Sequence, residues 1–405
     1  MFQIEYSPNL KWEIYLSASK NASLPILAAN FLVDKKVNLV NLPNIIDVKI
    51  LDEIWNEYLK EKHLIWSKVE RIRSSILLIP VWLYKYGEIE FSNCGGCSLW
   101  KRPLDTFDNA FVQAGVDVKM LDNKKLFKVV KKPNKKIILT SFSVTATEAI
   151  LIYLSFLDNI DYEIEISNIA IEPHVIDLIN FLKNLWANIK LWYDHRVFVK
   201  PSKINIKNDN YKIVPDYIEA WTYFALWAIA DESEIIIKNV EPNHLESVFV
   251  VADKIWINYS YGNDFIKVNS FNKKNYKATN IQTMIYPGFP TDLQSIFWTL
   301  LTQVKWISKI HEVLFEWRFG YFSELENMWA KIEVLNPHQV LIIWWKRLKW
   351  TYVTTKDLRA GASLILAWTV AEWTTNIVNE NIIKRGYENI VEKLSSIWVN
   401  IKELN

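Results

Sequence analysis

The stretch Asn93–Asp105, N-C-G-G-C-S-L-W-K-R-P-L-D, gathers residue types that can do chemistry. Gly95 and Gly96 carry no Cβ and let the backbone bend sharply or move. The Cys97 thiol follows them, and the Arg102 guanidinium stands just before Pro103. A nucleophile or acid on such a loop, beside a fixed cation, suits an anionic substrate. The C-x-x-C spacing of Cys94 and Cys97 has two rival readings, a redox pair and half of a zinc site. These are the only two cysteines, so the other half of a zinc site is absent, and no W-C-x-x-C context opens a helix. Neither a metal nor any other cofactor is expected.

Other charged residues stand near turns. In S-A-S-K-N-A-S-L-P-I-L-A-A a polar turn leads into an apolar helix, so Lys20 and Asn21 lie near a helix N-terminus, a natural anion site. The same stretch reads equally as an ordinary cap with a solvated lysine. Arg73 precedes the apolar run Ile76–Pro80 and reads also as flanking charge. Ser143, Val144 and Thr145 open the helix of S-V-T-A-T-E-A, whose free N–H groups suit a diphosphate. Gly288–Asp292 is a tight turn that puts a carboxylate at a helix start, by default an N-cap. Arg318 in F-E-W-R-F, Asp357 and Arg359 in D-L-R-A-G-A-S-L, and Arg385 in K-R-G-Y-E follow. Isolated arginines are usually surface charge; several at the ends of successive repeats are expected to converge on one anion. The lysines of Lys124–Lys136 read as a solvated loop, because only Phe127 interleaves them as a base-stacking ring would.

The elements that must position these residues follow from pattern and composition. At 405 residues, the chain has room for two domains with substantial cores. A formal charge of +2 argues against a nucleic-acid or membrane-surface partner. No apolar run reaches the ~18 residues of a membrane span, and Met1–Lys20 lacks a signal pattern. A soluble, monomeric, cytoplasmic protein is expected. Nine glycines stand against twenty tryptophans, which puts glycine near 2% where about 7% is usual. Trp186, Trp256, Trp329 and Trp398 all sit where a helical pattern meets a strand pattern, and Gly115 occupies the same slot. That slot is the residue after a helix end, where a left-handed conformation is wanted and glycine supplies it. A bulky residue there costs ~1–2 kcal/mol. Some bacteria read UGA as glycine, and we expect most printed tryptophans to be glycine in the organism. The five slots recur roughly 70 residues apart, too long for common solenoids. They fit a βαβαββ module used about six times, although no sixth marker is visible near the start.

In this order the stretches resemble the enolpyruvyl transferases: S-A-S-K-N-A-S-L-P-I-L-A-A, R-S-S-I-L, G-G-C-S-L-W-K-R-P-L-D, S-V-T-A-T-E, E-P-H-V-I-D-L, V-P-D-Y-I-E-A-W-T, G-F-P-T-D-L-Q, F-E-W-R-F, D-L-R-A-G-A-S-L and R-G-Y-E-N-I-x-x-K-L. Each motif is weak alone, but ten in the family's order are specific. Trp12, Trp100, Trp221, Trp306, Trp350 and Trp373 fall on that family's glycines. The resemblance implies an α/β fold of two inside-out domains, each of three βαβαββ modules. Residues 1–19 with 217–405 would form one domain and 20–216 the other, which carries the Cys97 loop. The shikimate-pathway cousin lacks the G-G-C loop and is the weaker match.

By the same resemblance the substrates are phosphoenolpyruvate and UDP-N-acetylglucosamine, in the first committed step of peptidoglycan synthesis. Lys20, Arg102, Arg318, Arg359 and Arg385 would hold phosphoenolpyruvate, with Asn21 and Asp357 beside them, and Lys20 and Arg385 would also be catalytic. Arg73, the run Arg102, Pro103, Leu104, Asp105 and Thr106, and Ser141, Phe142, Ser143, Val144 and Thr145 would hold the UDP part. Asp292 would be the base at the sugar 3-hydroxyl, Leu314 would line the uridine or sugar side, and Cys97 would donate a proton. Four positions depart from the family. Phe107 replaces a histidine, His174 the second acid of E-P-E, and Ile382 and Lys384 stand for the H-x-D before R-G-Y. A non-catalytic sugar-nucleotide-binding paralogue is the alternative these departures raise.

Overall fold

The computed structural model describes the chain except residues 62–65, 93–103, 123, 193, 321, 345–346, 350, 355–357, 373 and 405, and except the side chains of 66, 352–354, 358–360 and 375. It divides into two compact units, Met1–Ser17 with Pro215–Asn405, and Ala18–Val214.

One module recurs. In the second unit the strand Lys136–Ile138 leads through the helix Val144–Leu154 to a parallel partner, Ile164–Ser167. The helix Pro173–Asn184 then leads to the antiparallel hairpin Asn188–Trp192 and Arg196–Lys200, which closes a four-stranded sheet against Ile164–Ser167. The first unit repeats this arrangement three times. Its parallel pairs are Glu13–Tyr15 with Glu234–Lys238, Asn280–Gln282 with Ile307–His311, and Tyr352–Thr354 with Thr374–Val378. In the last of these sheets the chain's own start, Phe2–Glu5, supplies the strand that pairs with both Thr374–Val378 and Ile401–Glu403.

The expected six modules are not all complete among the described residues. The second unit adds a three-stranded sheet, Glu88–Ser92, Lys124–Val129 and Val116–Leu121, and a two-stranded one, Asn38–Leu39 with Asn210–Tyr211. The lysine-rich stretch is therefore not a loop where it begins. Lys125 and Lys128 stand on a strand, paired with Asp108 and Glu88.

Burial explains the inside-out arrangement. The helices Val144–Leu154, Tyr217–Ile229 and Gln294–Thr302 are buried on nearly every side and form the core. In the first unit Tyr217–Ile229, Gln294–Thr302 and Leu358–Val370 pack on one another, and in the second Lys20–Asn30 and Ile79–Tyr86 pack on Val144–Leu154. The sheet strands instead alternate buried and part-exposed residues. No helix among the described residues is long and apolar enough to cross a membrane.

Each module's second helix ends on a left-handed residue. The φ angles are +89° at Gly115, +74° at Trp186, +71° at Trp256, +73° at Trp329 and +72° at Trp398. At the four tryptophans the next residue donates its N–H five residues back, as Ala187 does to Leu182 O at 2.9 Å and Ile257 to Ala252 O at 3.0 Å. Gly115 shows why the slot is strict, because a Cβ there would lie 2.1 Å from Lys131 O. Trp12, Trp306 and Trp317 are left-handed too. All seven tryptophans are exposed, from 46% at Trp329 to 79% at Trp306, so core packing does not compensate the strain. Lys277 lies 3.5 Å from the Trp256 ring centroid, but an exposed contact of this kind is worth only about 0.5–1 kcal/mol, below the ~1–2 kcal/mol of strain. Buried indoles add a second conflict. The N–H groups of Trp82, Trp221, Trp227 and Trp368 meet no acceptor among the described residues, at about 1–3 kcal/mol each.

Trp55 differs, being buried and stacked on Phe31 at 4.7 Å. Replacing the seven left-handed tryptophans by glycine one at a time is expected to raise stability by roughly 1 kcal/mol each, or about 2–4 °C in melting temperature. Trp55→Gly should instead lower stability by roughly 3–5 kcal/mol. The gene should carry UGA at the first set, and UGG at most of those positions would end the recoding idea.

Candidate active site

In the second unit, Lys20 is the first residue of the helix Lys20–Asn30, whose N-cap Ser19 accepts from Ala22 N–H. The Lys20 ammonium lies 2.7 Å from Asp47, and the two side chains are only 12% and 6% exposed. Asp47 opens the helix Ile46–Glu61, where the helix dipole favours a negative charge. Lys20 is thus a half-buried cation with its own carboxylate, not a solvated cap residue. Asn21 follows it, part-exposed, and Arg73 begins the 3-10 turn Arg73–Leu78, also half-buried.

A corner of hydroxyls forms where two helices begin. Leu104 and Asp105 lead into the helix Asp105–Gln113, and the Thr106 hydroxyl lies 2.8 Å from Ser141 and 2.7 Å from Thr140. Ser143 caps the next helix by accepting from Ala146 N–H, which puts Val144 and Thr145 in its first turn. Phe142, 41% exposed, meets the His195 ring edge-on. Further along this helix Glu148 is wholly buried, and its carboxyl is held well above the usual range, first by burial and then by the nearby Glu172. His174 is buried in the first turn of Pro173–Asn184. Phe107 is 2% exposed and packs on Phe111 and Phe127, so it serves the core where the family has an imidazole.

In the first unit the sharpest cluster lies at the end of the strand Ile307–His311. Asp292 sits in the 3-10 turn Thr291–Leu293, ahead of the helix Gln294–Thr302. It does not cap that helix, as the sequence led us to expect. Its carboxylate accepts from Arg318 Nη2 at 2.7 Å, while Arg318 Nη1 donates to the Thr291 hydroxyl at 2.6 Å. Arg318 is 7% exposed. Leu314 N–H donates to the buried Glu312 at 2.9 Å. Arg385 follows the short helix Asn381–Lys384 and is half-buried, and Lys384, where the family has an acid, pairs with Glu403.

Cys94, Cys97, Arg102, Pro103, Asp357 and the side chain of Arg359 lie outside the described residues; the backbone of Arg359 is in the first turn of the helix Leu358–Val370. Sequence reasoning missed Asp47, Thr140, Thr291 and Glu312, which touch candidate residues through partners distant in the chain. A hydroxyl or carboxylate in a turn or first helical turn carries no local mark of such a role.

The model of the family described as EPSP synthase (3-phosphoshikimate 1-carboxyvinyltransferase) matches residues 4–394. Among curated proteins, UDP-N-acetylglucosamine 1-carboxyvinyltransferase 1 of Caldanaerobacter subterraneus is 32% identical, covering 99% of this chain and 98% of its own. The protein named UDP-N-acetylglucosamine 1-carboxyvinyltransferase in Halothermothrix orenii is 34% identical, covering 100% and 99%. Among solved structures, the enolpyruvyl transferase NikO from Streptomyces tendae superposes with a TM-score of 0.87 at 18% identity, covering 99% of this chain and 98% of its own. EPSP synthase from Acinetobacter baumannii gives 0.72 at 10% identity over 100% of both chains. At these identities the two structures speak for the fold.

Removing one member of a buried ion pair leaves the other uncompensated, at about 3–5 kcal/mol. Lys20→Ala is therefore expected to lower the unfolding free energy by roughly that amount, and adding Asp47→Ala should recover part of it. Denaturant unfolding of both single variants and the double variant reads the coupling. Additive losses would mean that the two side chains do not act as a pair.

Proposed function

The chain belongs to the EPSP synthase family of carboxyvinyl transferases, and from that premise we propose that it moves the enolpyruvyl group of phosphoenolpyruvate to the 3-hydroxyl of UDP-N-acetylglucosamine. One observation carries the reading. Curated relatives bearing the name of that reaction match nearly the whole chain at 31–34% identity. The product is a peptidoglycan precursor, so the protein serves wall synthesis and, through it, cell shape and division. It acts in the cytoplasm as a monomer.

The chemistry suits the residues present. Phosphoenolpyruvate brings a phosphate and a carboxylate and the sugar nucleotide a diphosphate, so arginine and lysine must dominate the binding groups. Lys20, Arg102, Arg318, Arg359 and Arg385 hold phosphoenolpyruvate, with Asn21 and Asp357 near them. Arg73, the run Arg102 to Thr106, and Ser141 to Thr145 hold the UDP part. The hydroxyls of Thr106 and Ser141 and the first turn of Val144–Leu154 support this role, being donors gathered where two helices begin. Leu314 lines the uridine or sugar side.

The reaction adds and then eliminates. Asp292 takes the proton of the 3-hydroxyl as its oxygen bonds to C2 of phosphoenolpyruvate, while C3 gains a proton from Cys97. The tetrahedral ketal then loses a proton from C3, the double bond re-forms, and the C2–O bond to phosphate breaks. Arg318, 2.7 Å from Asp292, fixes the direction in which that carboxylate faces.

A phosphate-release assay with both substrates, on the full chain carrying glycine at the left-handed positions, tests the reading. Binding of the sugar nucleotide without turnover would instead fit a non-catalytic paralogue. Cys97→Ser should cut turnover by about 100-fold or more, Cys94→Ser should be nearly silent, and Cys97→Asp should still turn over because a carboxyl also delivers a proton. Fosfomycin, an epoxide mimic of phosphoenolpyruvate, should alkylate Cys97 and spare Cys94. Equal damage from the two serine variants would point to a redox pair. Arg359→Ala should lower kcat/KM severely by removing a fork of donors from an anion.

A further inference from the structure

Glu312 is 0% exposed, yet its carboxylate has polar partners on both oxygens. Oε1 accepts from the N–H groups of Leu314 at 2.9 Å and Phe315 at 3.2 Å. Oε2 accepts from the Thr291 hydroxyl at 2.7 Å. The residue stands just past the strand Ile307–His311, where its own N–H donates to His338 O and its carbonyl accepts from His338 Nδ1, both at 2.7 Å. The backbone under the carboxylate is therefore tied to the neighbouring strand turn, and a buried charge persists only where it is bonded this fully.

The Thr291 hydroxyl has one proton, which goes to Glu312, so its lone pairs face the Arg318 Nη1 donor at 2.6 Å. The direction of this relay is set by Glu312, an acceptor with no proton to return. The same carboxylate holds Phe315 N–H, and the Phe315 ring centroid lies 5.4 Å from the Arg318 guanidinium carbon. Glu312 thus controls two sides of Arg318, whose Nη2 reaches Asp292 at 2.7 Å.

We propose that Glu312 is a positioning residue that orients Arg318 against Asp292 through the Thr291 hydroxyl and the Phe315 turn. This rests on the reading of Asp292 as the base. Glu312 touches no substrate; it determines where the guanidinium stands, and a misplacement of about 1 Å near reacting groups can lower a rate about 100-fold.

The test uses the full chain and three variants. Glu312→Gln keeps the shape and the acceptor for the Leu314 and Phe315 N–H groups but presents Thr291 with a donor. Thr291→Val removes the hydroxyl with little change of volume, and Thr291→Ser restores it. Glu312→Gln and Thr291→Val should each lower kcat by about 10–100-fold with the KM for UDP-N-acetylglucosamine changed less than threefold, and the double variant should be no worse than the poorer single one. Thr291→Ser should recover most of the rate. Rates within about twofold of the unaltered chain, or Thr291→Ser no better than Thr291→Val, would overturn the proposal. Crystal structures of Glu312→Gln and Thr291→Val decide the same point without substrate. Arg318 moved off Asp292 supports it, and an unmoved pair in either variant overturns it, even if the unaltered chain releases no phosphate and the transferase reading itself fails.

Discussion

The fold depends on a single backbone conformation repeated at the end of each module's second helix. The chain must leave a half-buried helix and reverse into a strand within one or two residues. A left-handed residue does this by letting the following N–H reach back to the last turn, as at Ala187, Ile257, Ala330 and Val399. Side chains resist that conformation because Cβ crowds the carbonyl. Five helix-to-strand reversals therefore rest on one left-handed slot that suits a small residue. Glycine meets the requirement at position 115, and tryptophan occupies it at 186, 256, 329 and 398. The ring at those four positions is at least 46% exposed, so what the slot demands is a backbone and not an indole.

The same geometry places the candidate residues within each unit. A module directs the ends of its parallel strands and the starts of its buried helices to one edge, and the candidate residues cluster at such points. Lys20, Thr106 and Val144 lie within or beside first helical turns, and Asp292 lies just before one. Free N–H groups and the helix dipole favour anions there without any charged side chain. Charged side chains then sharpen the preference, and Lys20 and Arg318 are themselves held. Asp47 holds Lys20, and Thr291 with Asp292 holds Arg318.

The departures from the family pattern have uneven structural weight. Phe107 is absorbed by the core against Phe111 and Phe127, so that position has changed from polar to packing. Lys384 finds a new acid in Glu403 and does not leave an unbalanced charge beside Arg385. His174 is buried next in sequence but one to Glu172, the residue that adds to burial in disfavouring the charge of Glu148. None of these changes alters the Asp292, Thr291, Arg318 and Glu312 cluster.

Periodicity, capping residues and the glycine deficit were legible in the chain alone, because each is a local property. The starts of Lys20–Asn30 and Val144–Leu154 follow from a serine before an apolar run, and the left-handed slots follow from where helical and alternating patterns meet. The order of ten short motifs was enough to point to the family. Which partner holds each charge was decided only by the tertiary structure. Asp47 stands 27 residues from Lys20, and Glu312 stands 21 residues from Thr291, with nothing in either segment to announce the other. A hydrogen bond acts over about 3 Å, so it is specified only once strands have registered and helices have docked. Asp292 illustrates the difference: its turn was readable from Gly288–Asp292, but whether its carboxylate capped a helix or met an arginine depended on a neighbouring segment that the fold alone brings near.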